Sequence, residues 1–110
     1  MIDDKALLEA AARAAGLDVE FMPLSGANIV SGPHAGLWRP LEDDGDALRL
    51  AVKIGMEFAA DDEATHCAFA YARVRGAGDS HIFEPVVDDP CKAMRRAIVR
   101  AAASLGQEAQ

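Results

Sequence analysis

The sequence predicts an α+β fold, built as a single-domain α/β/α sandwich with three helices and a mostly antiparallel sheet of four to five strands. Three observations lead to this prediction. The chain of 110 residues suits one domain with a core of its own. A composition of 51% apolar and 26% charged residues is typical of globular proteins. Helical and alternating patterns then follow in the order α-β-β-α-β-β-β-α, without an internal repeat or a linker, so we expect one domain over residues 1–110.

The first helix is predicted to begin at Asp3 or Asp4 and to end at Ala15. Its apolar residues recur at helical spacing, and Gly16 stands where a left-handed residue ends a helix.

Two short strands are predicted after the first helix. Residues 18–22 alternate between polar and apolar side chains, which indicates a strand that Pro23 stops. Residues 28–31 are a weaker strand candidate. Glycine and proline are frequent in residues 31–36, so this stretch is predicted to be a loop.

A central helix follows an acidic segment. Pro40 disfavours helical backbone at the residue before it, so the chain enters extended. Asp43, Asp44 and Asp46 place cap oxygens and negative charge where a helix begins. Gly55 is expected to end this helix in the left-handed conformation.

The central helix is predicted to be largely buried. Its polar side chains, Asp46, Arg49 and Lys53, form one narrow stripe, whereas a surface helix carries a much wider polar face. Leu48 and Val52 are therefore expected to be nearly fully buried, and Leu48→Ala to cost about 2–5 kcal/mol of stability.

The remaining strands are predicted at residues 56–60, 64–75 and 80–87, with turns at 61–63 and 76–79. The strand at 64–75 is apolar on both faces, so we expect it to be central and covered on both sides.

The last helix is predicted to begin at Asp89-Pro90 and to end at Gly106. Its buried face is expected to comprise Met94, Ala97, Ile98, Ala101 and Leu105.

The charge distribution limits the kinds of partner that we expect. The net charge is −7, with 7 basic and 16 acidic residues in 1–88 but 4 basic and 2 acidic residues in 89–110. The acidic excess opposes nucleic-acid binding and suits a basic protein partner, or simply solubility. The chain lacks a run of 18 apolar residues and the features of a signal peptide, so we expect a cytoplasmic protein without membrane contact.

Catalytic, metal and cofactor sites are not predicted. Cys67 and Cys91 lack a Cys-x-x-Cys spacing and are expected to stay reduced. Cys91 stands near a helix start, where a thiol can be activated, but acidic neighbours oppose a thiolate. The histidines show neither metal-ligand nor triad spacing, and residues 43–46 do not have the spacing of a calcium loop.

Two features suit binding as well as structure. The last helix carries a basic stripe that fits an acidic partner or nucleic acid, or else a solvated face paired with acids elsewhere on the domain: Lys92, Arg95, Arg96 and Arg100. Trp38, the one tryptophan, suits either an anchor at the edge of the core or an anchor at an interface.

Two blocks of the sequence stand out together. The first runs from Trp38 to Val52 with the pattern W-x-P-L-x-D-D-G-D-A-L-R-L-A-V, and the second leads from Asp89-Pro90 into RRAIVRAAA at residues 95–103. In this order they resemble the phage ABA sandwich family, small proteins encoded by tailed phages and prophages of Gram-negative bacteria. Arg39 departs from the small polar residue expected there, and the middle strands agree only in pattern. The resemblance implies an α/β/α sandwich, and it implies no enzymatic activity, cofactor or catalytic residue.

The combined expectation is a non-enzymatic phage or prophage accessory protein that binds another protein, with inhibition of a host defence system, a CRISPR effector included, as one role. The alternatives are a regulator that contacts DNA through the basic helix and a small thiol enzyme that uses Cys91. The candidate partner-binding residues are Trp38, Arg39, Asp43, Asp44, Arg95, Arg96 and Arg100.

Overall fold

The computed structural model describes residues 3–22, 26–30, 35–60, 69–74, 81–87 and 89–108. The predicted α+β class with three helices is confirmed. The helices are α1 (Asp4–Ala15), α2 (Asp44–Ile54) and α3 (Pro90–Glu108). The strands are β1 (Val19–Met22), β2 (Gly26–Ile29), β3 (Gly36–Leu37), β4 (Met56–Ala60), β5 (Phe69–Val74) and β6 (His81–Pro85).

The strands form two antiparallel sheets of three, in the orders β1-β2-β3 and β4-β5-β6, instead of the one sheet of four to five strands that was predicted. Each strand pairs with its neighbour along the chain, and α2 separates β3 from β4. The loop predicted at residues 31–36 includes the first residue of β3, and no strand was predicted there. This strand has two residues, which pair with Asn28 and Ile29, and a strand so short carries no alternation of its own.

The predicted ends of the first two helices are confirmed. The carboxylates of Asp3 and Asp43 accept the backbone N–H of Ala6 and Asp46 at 2.8 Å, which satisfies donors that a helix start leaves unpaired. Gly16 and Gly55 end the helices with φ of 70° and 83°, the left-handed conformation that glycine adopts without strain.

Helix α3 is the centre of the core. It packs against α1, α2 and all three strands of the β4-β5-β6 sheet. From Ala97 to Ala103 every side chain except that of Arg100 is buried. A helix that is apolar on most sides has to be surrounded by other elements, and here they come from three directions.

Gly106 lies inside α3 and does not end it, so that prediction was wrong. The helix continues to Glu108, and a Cβ atom on Gly106 would lie 1.9 Å from the carbonyl oxygen of Ala10 in α1. The absence of a side chain lets two helix backbones approach closely. A glycine near the end of an apolar pattern can therefore mark a helix crossing as well as a helix end.

The prediction that α2 is largely buried was also wrong. Leu48 is 51% exposed and Val52 is 72% exposed, so Leu48→Ala should cost far less than was expected. The buried positions of α2 are Ala47, Leu50 and Ala51. These lie on one side of the helix against the core, and nothing in the described part of the chain covers the opposite side.

Some predictions fall outside the described residues. They are residues 31–34 of the first predicted loop, the turn at 61–63, residues 64–68 and 75 of the long strand, the hairpin loop at 76–79, residue 80 of the last strand, Cys67, His34 and His66. Across the residues that are described, no helix has both the length and the apolarity needed to cross a membrane.

Candidate interaction surface

Trp38 is a core residue. Its side chain is 3% exposed, its backbone N–H donates to the carbonyl of Ala27 at 2.9 Å, and Pro40 beside it is fully buried. Of the two interpretations of this tryptophan, the structure supports the core anchor. A side chain without accessible surface cannot contact a partner while the fold stays intact, so Trp38 leaves the set of candidate binding residues.

The acidic run before α2 is used within the fold. Asp43 caps the helix, and Asp46 accepts the backbone N–H of Arg39 at 2.8 Å and pairs with Arg49. Asp44 pairs with Arg95 of α3 at 2.6 Å. Each of these carboxylates therefore holds the entry of α2 in place. Arg39 presents an exposed side chain, whereas Asp43 and Asp44 could meet a partner only while serving these contacts.

The arginines of α3 bind acids and carbonyls of the same domain. Arg95 donates to the carbonyl of Leu41 at 3.0 Å as well as to Asp44. Arg96 lies 3.3 Å from a carboxylate oxygen of Asp4 and 4.0 Å from one of Glu84. Arg100 pairs with the mostly buried Glu84 and donates to the carbonyl of Phe83. This geometry agrees with the interpretation that the basic stripe pairs with acids elsewhere on the domain.

Cys91 is an exposed free thiol at the start of α3, and its backbone N–H donates to the carboxylate of Asp89 at 3.0 Å. The side chain of His81 lies outside the described residues. The described part of the chain holds no group of three or more histidine, cysteine, aspartate or glutamate side chains that could bind a metal ion.

The β4-β5-β6 sheet has one covered and one open face. In β5, Ala70 and Ala72 are fully buried towards α3, whereas Tyr71 and Arg73 alternate with them and point away from the helices. On the face that carries them, Tyr71 and Arg73 are half-buried, so among the described residues this face is less covered than the face of Ala70 and Ala72. Helix α3 packs against all three strands of this sheet, and α2 packs against β4.

We define the open face as the surface formed by Ala59, Tyr71, Arg73 and Phe83. Strand register places Ala59 and Phe83 on either side of Tyr71. The rings of Tyr71 and Phe83 lie 6.1 Å apart, and Phe83 is 56% exposed. Arg73 pairs with Glu57 across the strands, and its Nε is buried without a hydrogen-bond acceptor among the described residues. The surface thus combines the exposed ring of Phe83 and the half-buried ring of Tyr71 with a donor that the described part of the chain leaves unsatisfied.

Sequence reasoning missed this surface, although one signal pointed to it. Tyr71 and Arg73 share a face of β5, and an arginine in the middle of a covered sheet face is rare without a partner. The prediction of two apolar faces rests on Cys67, Phe69 and Tyr71 on this side and does not take Arg73 into account.

Comparisons with known proteins place the chain in no group: no protein-family model, no curated protein and no solved structure matches it.

Proposed function

We propose that this is a small non-enzymatic accessory protein of a phage or prophage, of the phage ABA sandwich type, that acts in the bacterial cytoplasm by binding another protein through the open face. The observation that carries the proposal is the placement of side chains in the β4-β5-β6 sheet. Small alanines fill the face towards α3, while the half-buried ring of Tyr71 and the exposed ring of Phe83 lie on the face that no described helix or strand covers.

Large aromatic side chains bury the most area and are therefore expected in a core. Their position on the face away from α3 favours binding to another protein. An antiparallel sheet with one face in water usually carries polar residues on that face. Exposed apolar patches rimmed by polar residues mark protein interaction sites, where aromatics and arginine are enriched. Tyr71, Phe83 and Arg73 are those residue types, and Glu57 supplies part of the polar rim.

The acidic charge indicates the kind of partner. With a net charge of −7, the domain attracts basic proteins over the range of the screened field, about 8 Å at physiological salt. Proteins that bind nucleic acid present basic channels that an acidic domain can occupy. Inhibition of a host defence protein of this kind, a CRISPR effector included, is the finer form of the proposal.

Contact with DNA through α3 is less well supported. Arg95, Arg96 and Arg100 already bind acids of the same domain, so each would have to leave a carboxylate to reach a phosphate. Duplex binding depends on several phosphate contacts at once. Lys92 is the one cation of the stripe without an ion pair among the described residues.

An affinity capture from bacterial lysate tests the proposal. The tagged protein should retain a specific basic protein, and the purified pair should bind less tightly as salt rises because exposed charges are screened. Phe83→Asp should weaken binding by at least tenfold, since it places a charge in the apolar centre of the open face. The exposed Val30, at the end of β2, provides the control: Val30→Asp should bind like the parent.

Two results would contradict the proposal. One is the failure of the purified pair to bind, and the other is equal binding by Phe83→Asp and the parent while circular dichroism shows both folded.

A further inference from the structure

We infer that the protein pairs with a second copy of itself through a strip formed by α2 and the free edge of β4. This α2–β4 strip comprises Leu48, Val52, Lys53, Glu42 and Phe58 with the outer backbone edge of β4. It is distinct from the open face, so the inference does not depend on the proposed function.

The first observation is a strand edge. In the β4-β5-β6 sheet, β5 is central, and among the described residues β4 has a strand partner on one side only. An unpaired edge presents a row of N–H and C=O groups that can pair with another strand. Because an antiparallel edge matches itself under a twofold rotation, a second copy of β4 fits it without any special sequence.

The second observation is exposed apolar area on the helix that leads into that strand. Leu48 and Val52 are 51% and 72% exposed, and Gly55 alone separates α2 from β4. Phe58 is paired with the buried Ala72, which places it on the helix side of the sheet, and it is still 37% exposed at the edge. Exposed apolar side chains therefore occur both on α2 and on the edge strand that directly follows it.

The third observation is the charge at the two ends of α2. Glu42, before the helix, is exposed and has no side-chain partner among the described residues, whereas Asp43 and Asp44 are engaged in the cap and in the Arg95 pair. Lys53, in the last turn, is also exposed and without an ion pair in the described chain. A twofold axis that pairs β4 with its copy sets the two α2 helices antiparallel, and each lysine then faces the acidic end of the other helix.

The size of the strip sets the affinity. The 11 residues of α2 are about 16 Å long, and the five residues of β4 are about 17 Å long. A strip about 16 Å by about 20 Å falls below the roughly 800 Å² per partner of a standard interface. We therefore expect a weak, reversible dimer that forms towards the upper end of the micromolar range.

Sedimentation velocity at physiological salt, over about 1 to 300 µM protein, measures the dimer directly. The parent should shift from monomer to dimer in this range. Val52→Asp should weaken the dimer at least tenfold, because it buries an unpaired charge opposite a second helix. Val87→Asp is the matched control: this valine is 81% exposed, follows β6 at the far edge of the sheet, and should dimerise like the parent.

A charge exchange tests the orientation of the helices. Lys53→Glu should weaken the dimer about fivefold, and adding Glu42→Lys to it should restore the affinity to within about twofold of the parent. Amide hydrogen exchange supplies a second readout, since alternate N–H groups of β4 should exchange more slowly at high protein concentration.

A parent that stays monomeric throughout this range overturns the inference, and so does a Val87→Asp variant that loses the dimer as fully as Val52→Asp. Exchange in β4 that is independent of concentration excludes the edge pairing. Failure of the charge exchange to restore binding excludes the antiparallel helices.

Discussion

The burial of helices α2 and α3 is the reverse of what the number of their polar residues suggests. α2 has a narrow polar stripe, yet Leu48 and Val52 on its outer side are largely exposed. α3 carries four cations, yet it is buried from Ala97 to Ala103 except at Arg100. The number of polar residues on a helix therefore does not determine its burial in this fold.

The length and size of the side chains explain this difference in burial between α2 and α3. Arginine places its charge far from the backbone, so Arg95, Arg96 and Arg100 reach acids at the rim while α3 itself lies in the core. Alanine lets neighbouring elements come close to α3. In α2, by contrast, a single row of small and medium residues is enough to fill its contact with the core.

The contrast predicts that replacing glycine by alanine changes the stability of the fold strongly in α3 and little in α2. Gly106→Ala in α3 should destabilise the fold by about 3 kcal/mol, because the new Cβ would lie 1.9 Å from a backbone oxygen of α1 that can move only with its helix. In α2, Gly45→Ala would meet the ends of the flexible Asp43 and Arg49 side chains at 3.2 and 3.3 Å. Its gain in helix propensity of about 1 kcal/mol should keep stability within about 1 kcal/mol of the parent.

Urea denaturation of both glycine variants measures the difference. Equal midpoints for the two variants would remove the close crossing of α1 and α3 from the account of the fold.

Two valines sharpen the comparison at a smaller energy. Val99 in α3 is fully buried, so Val99→Ala should cost about 2 kcal/mol for the lost burial and the cavity, less the small gain in helix propensity. Val52→Ala in α2 should change stability by no more than about 0.5 kcal/mol. Thermal unfolding at a protein concentration below that of dimer formation gives both values. A loss of similar size at the two positions would show that α2 is covered after all.

The smallest expected difference concerns two cations of α3. The side chain of Arg95 is mostly buried and binds Leu41 and Asp44 at the entry of α2, so Arg95→Ala should cost about 1–2 kcal/mol. Lys92→Ala removes an exposed side chain and should cost less than about 0.5 kcal/mol. Chemical denaturation curves of the two variants measure this difference in stability. A large loss of stability in Lys92→Ala would mean that the stripe acts as one charge network.

Local features of the fold were predictable because their causes are local. Asp3, Asp43, Gly16 and Gly55 mark helix ends through contacts with residues at most four or five positions away. The burial of α2, the role of Gly106 and the pairing of β3 depend on elements far along the chain. The periodicity of a segment does not show how many other helices and strands will pack against it.

The candidate surface was less predictable than the fold. Most of the residues first considered for binding proved to be engaged internally: Trp38 is in the core, and Asp43, Asp44 and the arginines hold helices in place. Charge clusters in a sequence give no indication of whether their counterions lie on the same molecule. The open face depends on which side of a sheet the helices occupy, and that is decided by packing.

The contact between α1 and α3 determines how this sequence can diverge. Buried alanines such as Ala10 and Ala102 have one side-chain carbon to lose, so trimming them removes little, whereas any enlargement pushes two backbones apart. Most protein cores lose stability mainly when large residues are replaced by small ones. This core loses stability mainly when small residues are replaced by larger ones. Substitutions on the exposed side of α2 leave this crossing untouched, whereas the crossing itself admits only the smallest residues.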